Sequence, residues 1–146
     1  MAKLSENFTL EELTASQTAA RRGINNTPTG AALAALTNTA KQMESVRALL
    51  NAPIHVSSGY RSIALNKAIG GSSTSAHCRG EAVDFTAPAF GTPKEICKAI
   101  IKSGIVFDQL IFEGAWVHIA FDATPRRSVL TAHFGNGATT YTQGVA

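Results

Sequence analysis

Polar turn formers and apolar positions at helical spacing alternate from the start of the chain. In "FTLEEL" Thr9 stands as an N-cap with Glu12 three residues on, and Phe8 and Leu13 are placed as a hydrophobic staple. The helix so begun is predicted to stop at Gly23. "NNTP" then punctuates the chain, and a longer helix is predicted with Thr27 as its cap and Pro28 at its first position. Its stripe of Leu33, Leu36, Ala40, Met43 and Leu50 predicts one buried face, and Pro53 ends it.

Beyond Pro53 the period changes. "PIHVSSGYR" predicts a short strand turning at Gly59, Ser62 to Ile69 a short helix closed by Gly70–Gly71, and "EAVDFTA" a strand. "TPKEICKAIIKSG" carries Thr92 as cap, Pro93 first, Glu95 completing a capping box, and Gly104 after the end, so it predicts a helix. "FDQLIFEGAWVHIAFD" and "RRSVLTAHF" are strand-rich. Helices first, then a mostly antiparallel sheet with one inserted helix, argue for a single α+β domain over residues 1–146, with 122–146 as a strand and tail.

Composition narrows the function classes. The 146 residues suffice for one core that buries roughly 68–70% of the unfolded surface, and 45% hydrophobic with 16% charged residues is an ordinary globular balance. A net charge of +3 and a pI near 9.1 come without any Lys/Arg run beyond Arg21–Arg22 and Arg126–Arg127. No nucleic-acid partner is expected, whereas attraction to an anionic cell wall is compatible. "MAKLSENFTLEEL" has no apolar h-region and no segment is long enough to span a bilayer. The expectation is a soluble chain made in the cytoplasm without a signal peptide, not inserted in a membrane, and monomeric. Cys78 and Cys97 are too few to define a disulfide framework.

The chemistry gathers in two stretches. In "SSTSAHCRGEAVDF", His77 enters from a loop and Asp84 sits within a predicted strand, and the pair could supply two of the three protein ligands that a catalytic zinc site uses. H-x6-D spacing alone has little specificity. In "IFEGAWVHIAF", a two-residue loop at Gly114–Ala115 would set Glu113 opposite Trp116 and Ile111 opposite His118. Those four side chains would then share one face, presenting a third ligand, His118, and a neighbouring carboxylate, Glu113, as general base. Zinc lowers the pKa of a water molecule from about 15.7 to about 7, which such a base can exploit.

These residues resemble a known family. "SAHCRGEAVD" fits Ser-x-His-x-x-Gly-x-Ala-x-Asp, the first signature of the zinc D-alanyl-D-alanine carboxypeptidases and L-alanyl-D-glutamate endopeptidases of bacterial cell-wall peptides. "EGAWVH" is similar to their second signature and "SGYRS" to their upstream arginine motif; with "NFTLEEL" and "GINNTP" the likeness runs from about Leu4 to Phe121. The resemblance implies a hedgehog/DD-peptidase-like fold and one Zn2+ held by His77, Asp84 and His118. It further implies Glu113 as general base, here five residues before the last histidine, Arg61 as a clamp for a substrate carboxylate or the scissile carbonyl, and Ser75 as a peptide-positioning residue. The compact layout resembles that of phage and prophage members, in which the domain stands alone. The implied activity is therefore an endolysin acting on peptidoglycan peptides at the wall or in the periplasm, reached with a separate holin-type partner.

Plainer readings stand beside these. His77 alone reads as a loop histidine, Asp84 as a solvated strand residue, Glu113 as a hairpin-rim charge and Arg61 as a solvated turn residue. Trp116 reads as wall packing that can also touch substrate. Cys78, adjacent to His77, should point away and be a reduced bystander, and Cys97 falls on an apolar helix face. His55 and His133 lack partner motifs; Asp108 and Asp122 read as strand-end charges; Gly80 gives the backbone room near the metal or serves the turn. The competing functions are a D-Ala–D-Ala carboxypeptidase and, in another class, a non-catalytic zinc-stabilised wall-binding or virion structural module.

Overall fold

A computed structural model describes residues 2–72, 74–135 and 137–146. Its elements run α1 (Leu10–Thr14), α2 (Gln17–Arg22), α3 (Gly30–Leu50), β1 (His55–Ser58), α4 (Ile63–Ala68), a 3-10 helix (Ala76–Arg79), β2 (Ala82–Thr86), α5 (Pro93–Lys102), β3 (Gln109–Phe112), β4 (Val117–Ala120), β5 (Ser128–Phe134) and β6 (Thr139–Gln143). The fold is α+β, as the pattern predicts. None of the described helices is long and apolar enough to cross a membrane.

Both capping boxes form. Thr9 and Glu12 exchange hydrogen bonds at the head of α1, and Thr92 and Glu95 do so at the head of α5. The single helix expected from Thr9 to Gly23 is, however, two. Ala15 is extended, and Ser16 starts afresh by accepting from the Ala19 N–H at 3.1 Å. The α1 carbonyls that a further turn would have used go to distant donors, Leu13 O to the Tyr60 N–H at 2.7 Å and Thr14 O to the Asn26 side-chain amide at 2.8 Å. The next helix begins at Gly30, not Pro28. The Thr27 N–H donates to Asn25 Oδ1 at 3.0 Å, which holds Thr27 in a turn, and Gly30 takes the left-handed φ of 53° that a side chain would resist.

Contacts group the chain into two units, one running up to Glu44 and over Val56–Val83, the other over Ser45–His55 and Asp84–Ala146; α3, β1 and β2 contribute residues to both. In the first unit Leu36, Ala40 and Met43 of α3 are fully buried, as their stripe predicts. Thr39, on the same helix, is buried too and donates to Gly80 O at 2.7 Å. Gly80 has φ 76°, and a Cβ there would stand 2.5 Å from Ala32 O. The room that Gly80 gives is therefore room for α3, and the same residue closes the 3-10 turn.

The six strands hydrogen-bond in the order β1-β2-β4-β3-β5-β6. In the second unit β3 and β4 pair antiparallel, with Ile111 opposite His118 and Phe112 opposite Val117, the register expected of a loop at Gly114–Ala115. Leu110, Val117 and Ile119 on one side of this hairpin are fully buried. Helix α5 contacts both strands, and Lys94 Nζ lies 5.7 Å over the Phe112 ring on that side. The other side carries Ile111 and His118. Cys97 is buried in α5 with Ile96 and Ile100, as read.

Two expectations change at the C-terminus. The tail is a further strand: β6 pairs antiparallel with β5 from Leu130↔Gln143 to Phe134↔Thr139, and β5 in turn runs parallel to β3. Asp108 is more than a strand-end charge. Only 6% exposed, it takes Arg126 Nε at 2.8 Å and Nη2 at 2.9 Å in a two-pronged pair, and Arg126 N–H at 3.1 Å, which fixes where β5 begins.

Candidate metal centre

His77 is positioned by a short turn. Ser75 caps the 3-10 helix by accepting the His77 N–H at 3.2 Å, and Gly80 closes it with its N–H on Ala76 O and His77 O. The ring is buried, and Nδ1 lies 2.7 Å from Gly59 O. A carbonyl can only accept, so Nδ1 donates to it and Nε2 is the ring nitrogen left to face a metal. A fixed tautomer held by a backbone carbonyl is how metal-binding imidazoles are usually prepared.

Asp84 projects from β2, whose neighbours Val83 and Phe85 are fully buried on the opposite side. His118 projects from β4 beside it, with Nδ1 2.9 Å from Asp84 Oδ1. Both side chains retain slight exposure, 13% and 14%. Ligand atoms of His77, Asp84 and His118 all lie within 4.8 Å of one another, and no other His, Cys, Asp or Glu among the described residues joins this group. Two imidazoles and one carboxylate are the donor chemistry of a catalytic zinc site, which takes three protein ligands and leaves a position for substrate or water. The residues present thus fit a zinc ion. Cys78 stays outside the group. Burial pushes its thiol up, with Arg61 and Arg79 pulling the other way, so it remains a protonated bystander.

The remaining predicted residues fall around this group or away from it. Glu113 stands at the end of the β3–β4 hairpin with its N–H on Trp116 O at 3.1 Å, half-buried, on the side of the ladder that bears His118. Trp116 packs against Phe134 with centroids 6.2 Å apart, and its indole nitrogen is buried without a hydrogen-bond partner. Ser75 uses its oxygen as an acceptor in the cap, which leaves the hydroxyl proton to donate. His133 sits apart on β5, its Nε2 2.8 Å from Thr142 Oγ1, and His55 is exposed.

Arg61 lines a groove of about 690 Å³ with Ser16, Gln17, Thr18, Ser58 and Leu65; no member of the His–Asp–His group lines it. Its backbone N–H donates to His77 O at 3.2 Å, and its Nε is buried with no partner. A buried guanidinium N–H without an acceptor is costly unless something fills it, which suits an anionic ligand.

Two supports escape the motif reading. Gly59 was legible only as a turn, yet its carbonyl orients His77 and a Cβ there would run into Leu13 O. Asn26 in "GINNTP" donates to Thr14 O at 2.8 Å and Tyr60 O at 3.1 Å and accepts the Ser62 N–H at 2.7 Å, clamping the Arg61 loop. Its position before a Thr-Pro turn marks it only as a turn former, because its partners lie up to 36 residues away.

A family profile described as Peptidase M15 matches residues 6–120. No curated protein matches the chain.

Proposed function

From the membership of this chain in the peptidase M15 family, we infer a zinc-dependent hydrolase of amide bonds in peptidoglycan stem peptides or crosslinks, working as an endopeptidase in phage-type lysis of a bacterial host. The observation that carries the reading is the convergence of His77, Asp84 and His118, three ligands and no fourth among the described residues. A structural zinc site would close the fourth position with protein.

Zinc in such a site supplies a Lewis acid for the scissile carbonyl and lowers the pKa of water to about 7. The chain's own groups do the rest. His77 is held in one tautomer by Gly59, so it is ready to ligate without reorganisation. Glu113 takes the proton from the attacking water and passes it to the leaving amine, a role worth about 10²–10⁴ in rate. Arg61 clamps a substrate carboxylate or the developing oxyanion. Stem peptides carry carboxylates at D-Glu, diaminopimelate and the terminal D-Ala, so a cation with an unpaired N–H in a hydroxyl-lined groove matches them. Ser75 and Trp116 position the peptide.

Lysis favours an endopeptidase, because removing a terminal D-Ala leaves the crosslinked wall intact. Mass spectrometry of muropeptides digested by the zinc-loaded protein tests this. Endopeptidase action gives products cut within the stem or crosslink. Release of a single D-Ala alone would instead make it a carboxypeptidase, and no product at all would sink the peptidase reading and leave the non-catalytic wall-binding module.

A further inference from the structure

The β5–β6 hairpin lies beyond residue 120, where the family match ends, yet the sheet register carries its side chains onto the face of His118. Ile111 pairs with His118 on one side and with Leu130 on the other, and Leu130 pairs with Gln143. Two residues further along, Glu113 and Trp116 come level with Ala132, which is the partner of Tyr141. Ladder partners point to the same side and side chains alternate with period two, so His118, Glu113, Trp116, Tyr141 and Phe134 share one face.

Two further observations agree with that register. Trp116 and Phe134 are in ring contact at 6.2 Å and 42°. The phenol of Tyr141 is pushed up by burial and by the charge of Glu113, so the two groups lie within electrostatic reach. Helix α5 occupies the opposite face of β3 and β4, whereas here Phe134 and Tyr141 remain 59% and 51% exposed. Large rings left half open, next to a carboxylate and in line with a candidate metal ligand, mark a contact surface rather than core.

We propose that Tyr141 and Phe134 form a wall of the substrate cleft beside Glu113, on which the stem peptide lies extended, and that they determine specificity. Stem peptides are rich in alanine, whose small side chains offer little to grip. Flat rings packing on the peptide backbone, with the Tyr141 hydroxyl donating to a peptide carbonyl, supply area and direction at low entropic cost. The inference rests on the peptidase reading above.

The test uses the zinc-loaded full chain and a purified muropeptide. Trp116 is the only tryptophan, so its emission reports binding at this wall. Titration is done in a Glu113→Ala background to prevent turnover, with steady-state cleavage in the otherwise wild-type chain. Phe134→Ala and Tyr141→Ala are expected to raise Kd and KM about tenfold with kcat within about twofold, and Tyr141→Phe to raise them about threefold. If the wild type cleaves the muropeptide while all three variants keep Kd and KM within about twofold, the wall is overturned and the peptidase reading stands. Unmoved Trp116 emission in the presence of turnover overturns it equally, as do losses confined to kcat that track a lower melting temperature. If the wild type cleaves nothing, both fall together.

Discussion

Gly59 shows how much a single backbone position can carry. Its carbonyl fixes the His77 tautomer, and its missing Cβ admits Leu13 O, so Gly59→Ala must both crowd α1 and move the carbonyl. The expected cost is about 1–3 kcal/mol in urea unfolding and at least about tenfold in zinc affinity by competitive titration. A variant that binds zinc as tightly as the parent would show that His77 does not depend on this contact. Asn26→Ala removes three hydrogen bonds around the Arg61 loop, with an expected loss of about 2–3 kcal/mol and a raised KM at nearly unchanged kcat. Cys97 gives a chemical check of the core. Burial pushes its thiol up to about 12, so about one part in 10⁴ is thiolate at pH 8. Ellman's reagent should reach Cys97 only after unfolding, so in a Cys78→Ser background rapid labelling of the native protein would contradict its burial. At this scale the three clustered residues His77, Asp84 and His118 were legible because each stands in a short motif, whereas Gly59 and Asn26 act on partners far along the chain.

Among the elements, α5 and the β3–β4 hairpin were the most legible, because the signals that make them are local. Thr92, Pro93 and Glu95 write the helix start within four residues, and Gly114 between alternating residues writes the hairpin. Hydrogen bonds from Thr92 hold the Glu95 carboxyl below its usual range. A depressed folded value means that this cap stabilises above the ordinary carboxylate pKa, and the contribution is lost as pH falls through the lower folded value. Thr92→Ala should lower the melting temperature by about 3 °C at pH 7, and the difference from the parent should shrink in acid. The break between α1 and α2 and the strand β6 were not legible. The first depends on Tyr60 and Asn26 taking the α1 carbonyls, and the second is an edge strand with all five residues exposed, lacking the alternation that marks buried strands. Asp108 belongs here too, as the anchor of β5. Asp108→Ala should cost about 2–3 kcal/mol by chemical denaturation, and Arg126→Ala less, because its side chain is 64% exposed.

For the molecule as a whole, the α+β class and the site's donor set followed from pattern and motif, and the parallel β3–β5 pairing did not, since parallel register is set by crossover geometry rather than local sequence. That register matters for function, because it brings Tyr141 beside Glu113. One ion and one reaction are decisive for this protein. Apoprotein prepared with a chelator and titrated with zinc, while muropeptide cleavage is followed by mass spectrometry, measures both together. The prediction is that cleavage rises linearly to one zinc per chain and then levels off. Cleavage that is undiminished in the apoprotein, or absent at every zinc loading, would contradict it.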